Sequence, residues 1–308
     1  MLVILNERAK GSAGIKKWPK VRDGLRDARF DFDEVRPDTV PASDEAVIRG
    51  IEKGHEVIVA AGGDGTVGAV LNAIMDPAND RPRGGAALGA IGLGSSNDFH
   101  KPDPQKVAQV PVRVSRDRGA HVDVGKARIV APDGSTQTRY FLLNASMGIV
   151  AAGNAFFNEG RGLVGRLKRW NTEAAIIYSA LYNLATYEPI GIRLAVDGET
   201  LLDEPLMNVG VLKTVHFAGG MKYDTPVARD DGRFAVNAWQ AESRLRVLKM
   251  IAALYRGRFA GRPNTRCWRG QRVTLIPSRP THLELDGEIF EVAQAQLSVV
   301  PRALWVCG

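Results

Sequence analysis

Apolar positions in this chain follow two rhythms. In the first third, short unbroken apolar runs alternate with stretches of helical period. Met1-Leu2-Val3-Ile4-Leu5 reads as a first strand that Asn6-Glu7-Arg8 ends, and Lys10-Gly11-Ser12-Ala13-Gly14 as a flexible basic turn. Residues 30–36 supply a second strand. From Ala42 to Lys53, Ala46, Ile48 and Ile51 make a helical stripe, with Ser43 placed to cap it. Strand 56–61 follows. Val67, Val70, Leu71 and Ile74 then share one face of a helix that Asp76-Pro77 stops. Ala86 to Ile91 is another buried strand. Apolar strands separated by helices imply a mostly parallel sheet covered on both faces.

The rhythm changes after about residue 110. Strand-like runs now meet across hairpin signals: Pro132-Asp133-Gly134-Ser135, Asp197-Gly198 and Asp286-Gly287. The expectation is an antiparallel, β-rich second domain, interrupted by a helix near Asn171–Tyr187 and another near Arg244–Tyr255. The reading is therefore α/β. An α/β domain spans residues 1–115 and a β-rich domain 116–293. An apolar segment, 294–308, returns to the first domain. A cleft between the domains is the expected active site.

Composition narrows the class. A chain of 308 residues that is 44% hydrophobic buries a substantial core. Its net charge of +7 favours anionic ligands, and Arg256, Arg258, Arg262, Arg266, Arg269 and Arg272 concentrate late. No nucleic-acid module accompanies them, so nucleic acid is not an expected partner. Two cysteines, Cys267 and Cys307, form neither a metal cluster nor a disulfide framework. They suit a reducing, cytoplasmic compartment, with peripheral contact at the inner membrane face left open. The longest apolar helical stretch, Ala174 to Ala185, is too short to span a bilayer.

The chemistry lies in two glycine turns. Gly62-Gly63-Asp64-Gly65-Thr66 joins a strand to a helix. Its glycines let backbone approach a phosphate, and the helix start offers free N–H groups. Asp64 repels phosphate directly and makes sense opposite Mg²⁺. Gly92-Leu93-Gly94-Ser95-Ser96-Asn97-Asp98-Phe99 follows the next strand and brings uncharged donors suited to phosphate or ribose oxygens. There is no Walker lysine motif, no protein-kinase catalytic loop, no Gly-x-Ser-x-Gly elbow and no zinc spacing among the histidines.

These two turns resemble the diacylglycerol/sphingosine kinase superfamily, and within it the bacterial lipid kinases. The resemblance continues in order through Val122-Asp123-Val124-Gly125, Phe141–Gly148, Gly219-Gly220-Met221, Asp231-Gly232-Arg233-Phe234 and Asp286-Gly287-Glu288. It implies ATP and Mg²⁺ as cofactors. It implies that Asn6, Gly62, Gly63, Asp64, Gly65, Thr66, Gly94, Ser95, Ser96 and Asn97 surround the nucleotide, with Asp64 facing the metal. It makes Glu288 and Asp123 the carboxylates that activate an acceptor hydroxyl, and Asp231 a ligand of a structural divalent metal. The string Val196-Asp197-Gly198-Glu199 nearly repeats the Asp286 motif, and only order along the family pattern selects Glu288 over Glu199.

The implied reaction moves the γ-phosphoryl group of ATP to a lipid hydroxyl, with diacylglycerol the leading acceptor. Phe156, Phe157, Leu163, Ile176, Ile177, Tyr178, Leu181 and Tyr182 are candidates for an acyl slot, with a packed helix stripe the favoured reading for most of them. Arg161, Arg166, Lys168 and Arg169 beside them suit a membrane surface or plain solvent. An NAD kinase-like activity, or a nucleotide-binding regulator without catalysis, are the alternatives. A homodimer is compatible with the sequence.

Overall fold

The computed structural model describes residues 1–9, 13–102, 104–160, 162–170, 172–241 and 243–308; for 168, 169, 172–174, 176 and 177 it describes the backbone alone. Part of the basic turn at 10–12 and Arg161 thus lie outside the described residues, as do the side chains of Lys168, Arg169, Ile176 and Ile177.

A twelve-stranded mixed sheet runs through the molecule. At one end, Asp33–Val35, Leu2–Leu5, Val57–Gly62 and Ala87–Gly92 pair in parallel in that spatial order. Side chains alternate across a strand, and here both faces are covered. Leu2, Ile4, Ile58, Ala60, Leu88 and Ala90 face the helices Val40–Glu52 and Asp64–Ile74, meeting Val47, Val70, Leu71 and Ile74. Val3, Leu5, Val59, Ala61 and Ile91 face Trp18, Val21 and Leu25 of helix Trp18–Asp27. Burial on both sides is why these strands read as unbroken apolar runs.

Helix Trp18–Asp27 is not among the expected elements. Trp18, Val21 and Leu25 do carry helical spacing, but Gly24 lowers the propensity beside them, while Pro19 falls in the first turn, where proline is tolerated. Packing of the buried Trp18, whose indole N–H donates to Glu34 at 3.0 Å, outweighs that deficit. The next helix starts at Val40 rather than Ala42. Thr39, not Ser43, accepts the first free N–H, from Ala42 at 3.3 Å. Ser43 is instead buried inside the helix.

The second half is a sandwich. One layer is an antiparallel six-stranded sheet: Thr265–Gly270, Phe234–Trp239, Asn208–Leu212, Asn144–Gly148, Thr281–Leu285, Glu288–Val292. The other is the antiparallel portion of the large sheet, with Ala120–Val130, Thr136–Phe141, Ile190–Val196, Glu199–Leu206 and Arg272–Pro277. Phe141, Leu194, Val211, Phe234, Val236, Leu283 and Leu297 fill the space between them. The three hairpin signals form hairpins. At Asp197-Gly198 and Asp286-Gly287 both turn residues have positive φ, as a tight two-residue hairpin turn requires.

Three helices, Ile149–Glu159, Gly162–Trp170 and Thr172–Thr186, occupy the place where one is expected. Gly160 and Gly162, both at positive φ, separate the first two. The glycines between 148 and 165 dilute the apolar period that would have marked them.

Strand Gln294–Val306 joins the halves. It pairs antiparallel with Arg272–Pro277 and Ala120–Val130, and Val306 pairs in parallel with Leu88. Cys307 donates its N–H to the Leu88 carbonyl at 2.9 Å. Among the described residues no helix is long and apolar enough to cross a membrane.

Candidate active site

Parallel pairing puts Gly62 beside Gly92, so both glycine turns leave the sheet at the same edge. Leu93 and Gly94 donate their N–H groups to the Gly62 carbonyl at 2.8 and 3.1 Å. A Cβ on Gly94 would stand 2.4 Å from the Gly63 Cα. Only backbone fits where the turns touch.

Side chains lock this arrangement. Asp64 opens helix Asp64–Ile74, and its carboxylate accepts the N–H of Asp98 at 3.1 Å and of Phe99 at 3.0 Å. Burial, with the nearby Asp98 charge, pushes the Asp64 carboxyl above its ordinary range despite those two bonds. Asn97 sits in the left-handed region at φ 49°. Its amide is used within its own loop: Oδ1 accepts from Gly94 at 3.1 Å, and Nδ2 donates to the carbonyls of Gly92 and Gly94, each at 3.2 Å. Asn6 donates to the Thr66 hydroxyl at 2.9 Å, and Thr66 folds back over Gly62. Asn6, Thr66 and Asn97 therefore shape the cradle. Gly65 and Ser95 form its exposed rim, and a Cβ on Gly65 would meet nothing. A helix start with open space before it, beside a second backbone turn, suits phosphate oxygens. The donor set fits a nucleoside triphosphate, and Asp64 is the carboxylate that would face a phosphate-bound Mg²⁺.

The second nucleotide loop is tied to the sandwich. Asp98 accepts the N–H of Gly219 at 3.0 Å and pairs with Lys101 at 2.5 Å. Lys101 also donates to the Gly219 carbonyl at 2.6 Å. Ser96 packs against Gly219. His100 is buried next to Arg113 and Arg229; burial and those charges hold its pKa down at about 3, so it stays neutral.

The Asp286-Gly287 turn packs on the same helix at Gly68, one turn in from its start. Asp286 Cβ lies 3.9 Å from where a Cβ on Gly68 would be. The Asp286 carboxylate takes three successive backbone N–H groups: Leu142 at 2.7 Å, Leu143 at 2.9 Å and Asn144 at 3.0 Å. Beside it, Glu284 accepts the Gly287 N–H at 2.5 Å and the Asn144 amide at 2.8 Å. Both acids are buried. Desolvation raises Asp286 to about 7 and Glu284 to about 8, against the pull of those hydrogen bonds. The Asp64 charge adds to the rise at Asp286. Glu288 is the first residue after the turn, half-buried and opposite Leu285. Its carboxyl is also raised, by burial above all, with Arg139 opposing and Asp44 adding.

The other two expected carboxylates are engaged elsewhere. Asp123 is buried, and both its oxygens are taken: one by the Lys213 ammonium at 2.7 Å and the Gly232 N–H at 2.7 Å, the other by the Arg302 N–H at 2.8 Å. It has no free edge to offer an acceptor proton, so the geometry separates it from Glu288's expected role. Asp231 accepts from Arg233 N–H at 3.0 Å and Lys213 at 3.3 Å, and pairs with Arg269. With two cations against it, Asp231 does not fit the role of a metal ligand. Among the described residues no group of three or more His, Cys, Asp or Glu side chains is gathered as a metal cluster.

Lys213, Asp286, Glu284 and the Asp98 tie were not assigned roles by the sequence. A signal existed for Lys213: a lone lysine directly after Asn208-Val-Gly-Val-Leu212, a run buried throughout, must find a partner.

Of the candidate acyl-slot residues, Phe156 and Tyr182 stack at 4.3 Å, with Tyr178 tilted against both. Leu163, Leu181 and Tyr182 remain largely exposed, as does Trp170, 83% accessible. Leu245, Leu248 and Tyr255 of helix Arg244–Tyr255 are exposed too. A cavity of about 360 Å³ lies between Thr186-Tyr187-Glu188 and the far end of the 281–292 hairpin, lined also by Arg279, His282 and Glu291.

The family model of the diacylglycerol kinase catalytic domain matches residues 1–127, and that of the YegS C-terminal NAD kinase beta sandwich-like domain matches residues 146–308. Curated relatives include a diacylglycerol kinase from Staphylococcus saprophyticus, 26% identical over 88% of this chain and 82% of the relative. Another, from Staphylococcus aureus, is 24% identical over 78% of this chain and 70% of the relative. Among solved structures, a diacylglycerol kinase from Bacillus anthracis shares the fold with a TM-score of 0.63 at 18% identity, over 99% of this chain and 95% of that one. Yeast NADH kinase complexed with NADH aligns with a TM-score of 0.52 at 9% identity, over 100% and 82%. Two family models in sequence order, over the two layers of structure that build the cradle and the hairpin, place the chain: it belongs to the diacylglycerol kinase superfamily and is a kinase by family.

Proposed function

We propose that this chain transfers the γ-phosphoryl group of ATP to the hydroxyl of a membrane-derived lipid, with diacylglycerol the first acceptor to test. The observation that carries the reading is the Asp286-Gly287 turn, packed on the helix whose start forms the phosphate cradle. Glu288 follows directly on that turn, and the reading assigns it the acid–base role in phosphoryl transfer.

Each part has a task. The helix start at Asp64–Gly65 and the rim at Ser95 hold phosphate oxygens with neutral donors. Mg²⁺, when bound to the phosphates opposite Asp64, supplies charge neutralisation. Glu288, its carboxyl raised by burial, accepts the acceptor's proton as the oxygen attacks. Asp286 and Glu284 keep the turn in place. The exposed Leu163, Trp170, Leu181, Leu245 and Leu248 support contact with the membrane holding the lipid.

The test is transfer of labelled γ-phosphate from ATP into diacylglycerol, sphingosine, ceramide and polyprenol in mixed micelles, with NAD as a water-soluble acceptor. Label in a lipid, lost in Asp64→Asn and Glu288→Gln, is the expected result. Label in NAD alone moves the chain to the NAD kinase reading. ATP binding without transfer makes it a nucleotide-binding regulator.

A further inference from the structure

The Lys213 ammonium sits inside a cage of oxygens. It donates to Asp123 Oδ2 at 2.7 Å, the Ala228 carbonyl at 2.9 Å and the Arg233 carbonyl at 2.9 Å, with Asp231 Oδ1 at 3.3 Å. An ammonium has three N–H bonds, and three of the distances are short. The Lys213 side chain is 1% exposed and that of Asp123 0%. Two carboxylates and two carbonyls converging on one point are the oxygen donor set of a hard divalent cation. A divalent ion would need those oxygens at about 2.0–2.6 Å, where the nitrogen already stands. Charge is also balanced: Lys213 answers Asp123, and Arg269 answers Asp231.

We infer that Lys213 is a covalent replacement for a structural divalent cation, so that this part of the fold is metal-independent. The cage clamps four segments. Asp123 belongs to strand Ala120–Val130, Lys213 follows Asn208–Leu212, and 228–233 is the loop before Phe234–Trp239. Through the Arg302 N–H, Asp123 also holds strand Gln294–Val306, which crosses between the halves. A fixed lysine charge keeps that joint closed whatever the free Mg²⁺ concentration. The inference stands apart from the acceptor's identity.

The experiment is thermal unfolding of the full chain without nucleotide, with metal content measured by elemental analysis, in Asp64→Asn as well so that the nucleotide turn is not counted. The expected midpoint is unchanged by chelator or by added Mg²⁺ or Ca²⁺. Lys213→Ala opens the cage: its midpoint falls on the order of 10 °C, and Ca²⁺ or Mg²⁺ raises it saturably. Lys213→Met fills the space without a charge, and its lowered midpoint does not respond. If Lys213→Ala does not fold, Lys213→Met and the unaltered chain carry the test. The inference is overturned by stoichiometric metal in the unaltered chain with a midpoint that chelator lowers. It is equally overturned by Lys213→Met as stable as the original, or by a folded Lys213→Ala that no divalent ion raises.

Discussion

Asp98 accepts the backbone N–H of Gly219, 121 positions along the chain, at 3.0 Å. The bond joins the second nucleotide loop to the sandwich, and Lys101 closes it from the other side by donating to the Gly219 carbonyl. The Asp98 side chain is only 6% exposed, while Gly219 lies at the surface. Asp98→Ala therefore takes the acceptor from the Gly219 N–H and leaves the Lys101 ammonium only the Gly219 carbonyl. The expected loss is about 2 kcal/mol of stability, with ATP affinity falling more than turnover. Urea unfolding and nucleotide titration on the same variant measure both; unchanged ATP affinity would show that the loop holds its shape without the tie.

Gly94→Ala tests the contact of the two turns. The added Cβ meets the Gly63 backbone at 2.4 Å, and no rotamer relieves a clash with backbone. The turns must separate, so ATP binding is expected to weaken by on the order of 100-fold while the distant sandwich core keeps its packing. Isothermal titration with ATP, alongside near-ultraviolet circular dichroism, reads the two effects separately. Gly153→Ala, in helix Ile149–Glu159 away from both turns, where a Cβ meets nothing nearer than 4.0 Å, is the matched control.

Glu288 and Asp286 are two positions apart and should fail differently. Glu288→Gln keeps shape and removes a proton acceptor, so turnover falls about 100- to 10,000-fold with ATP affinity retained. Asp286→Asn disturbs a carboxylate that takes three backbone N–H groups, so its main cost is stability, about 2–3 kcal/mol. Rate assays paired with denaturant midpoints decide this. A stable Asp286→Asn with the larger loss of rate would reverse the assignment.

Glu284 makes stability depend on pH. Its carboxyl rises to about 8 in the folded chain from an ordinary 4.5. Between those values the folded chain holds a proton that the unfolded chain has released. Raising pH through the folded value therefore removes stability. From about pH 7 to about pH 8.5, above the range where neutral His100 matters, the urea midpoint should fall. Glu284→Gln should flatten that slope. A flat midpoint over this window would show that the Gly287 and Asn144 donors hold Glu284 ionised.

The proposed membrane contact predicts vesicle binding. Trp170→Ser combined with Leu245→Ser removes two side chains 83% and 60% exposed, so the core should be untouched. Sedimentation with anionic vesicles should drop several-fold while the melting temperature stays put. Equal sedimentation of the double variant would move the membrane contact to another face.

Much of the fold was legible because its causes are local. Val57–Gly62 and Ala87–Gly92 are apolar throughout since helices cover both faces, and that shows in the residues themselves. Asp197-Gly198 and Asp286-Gly287 announce hairpins because few residues accept positive φ. The cradle at Gly62–Thr66 and Gly92–Asn97 was legible for the same reason: backbone approach demands glycine. Helices Trp18–Asp27 and Ile149–Glu159 were hidden, since glycines weaken their local pattern and only tertiary packing overrides it. The partners of the acids were hidden too. Asp123, Asp231 and Lys213 are 90 and 18 positions apart in their pairings. Nothing local says that a lysine, rather than a metal or an acceptor hydroxyl, meets those carboxylates. Local backbone demands are written in neighbouring residues; the neutralisation of a buried charge depends on which distant strand the fold lays beside it.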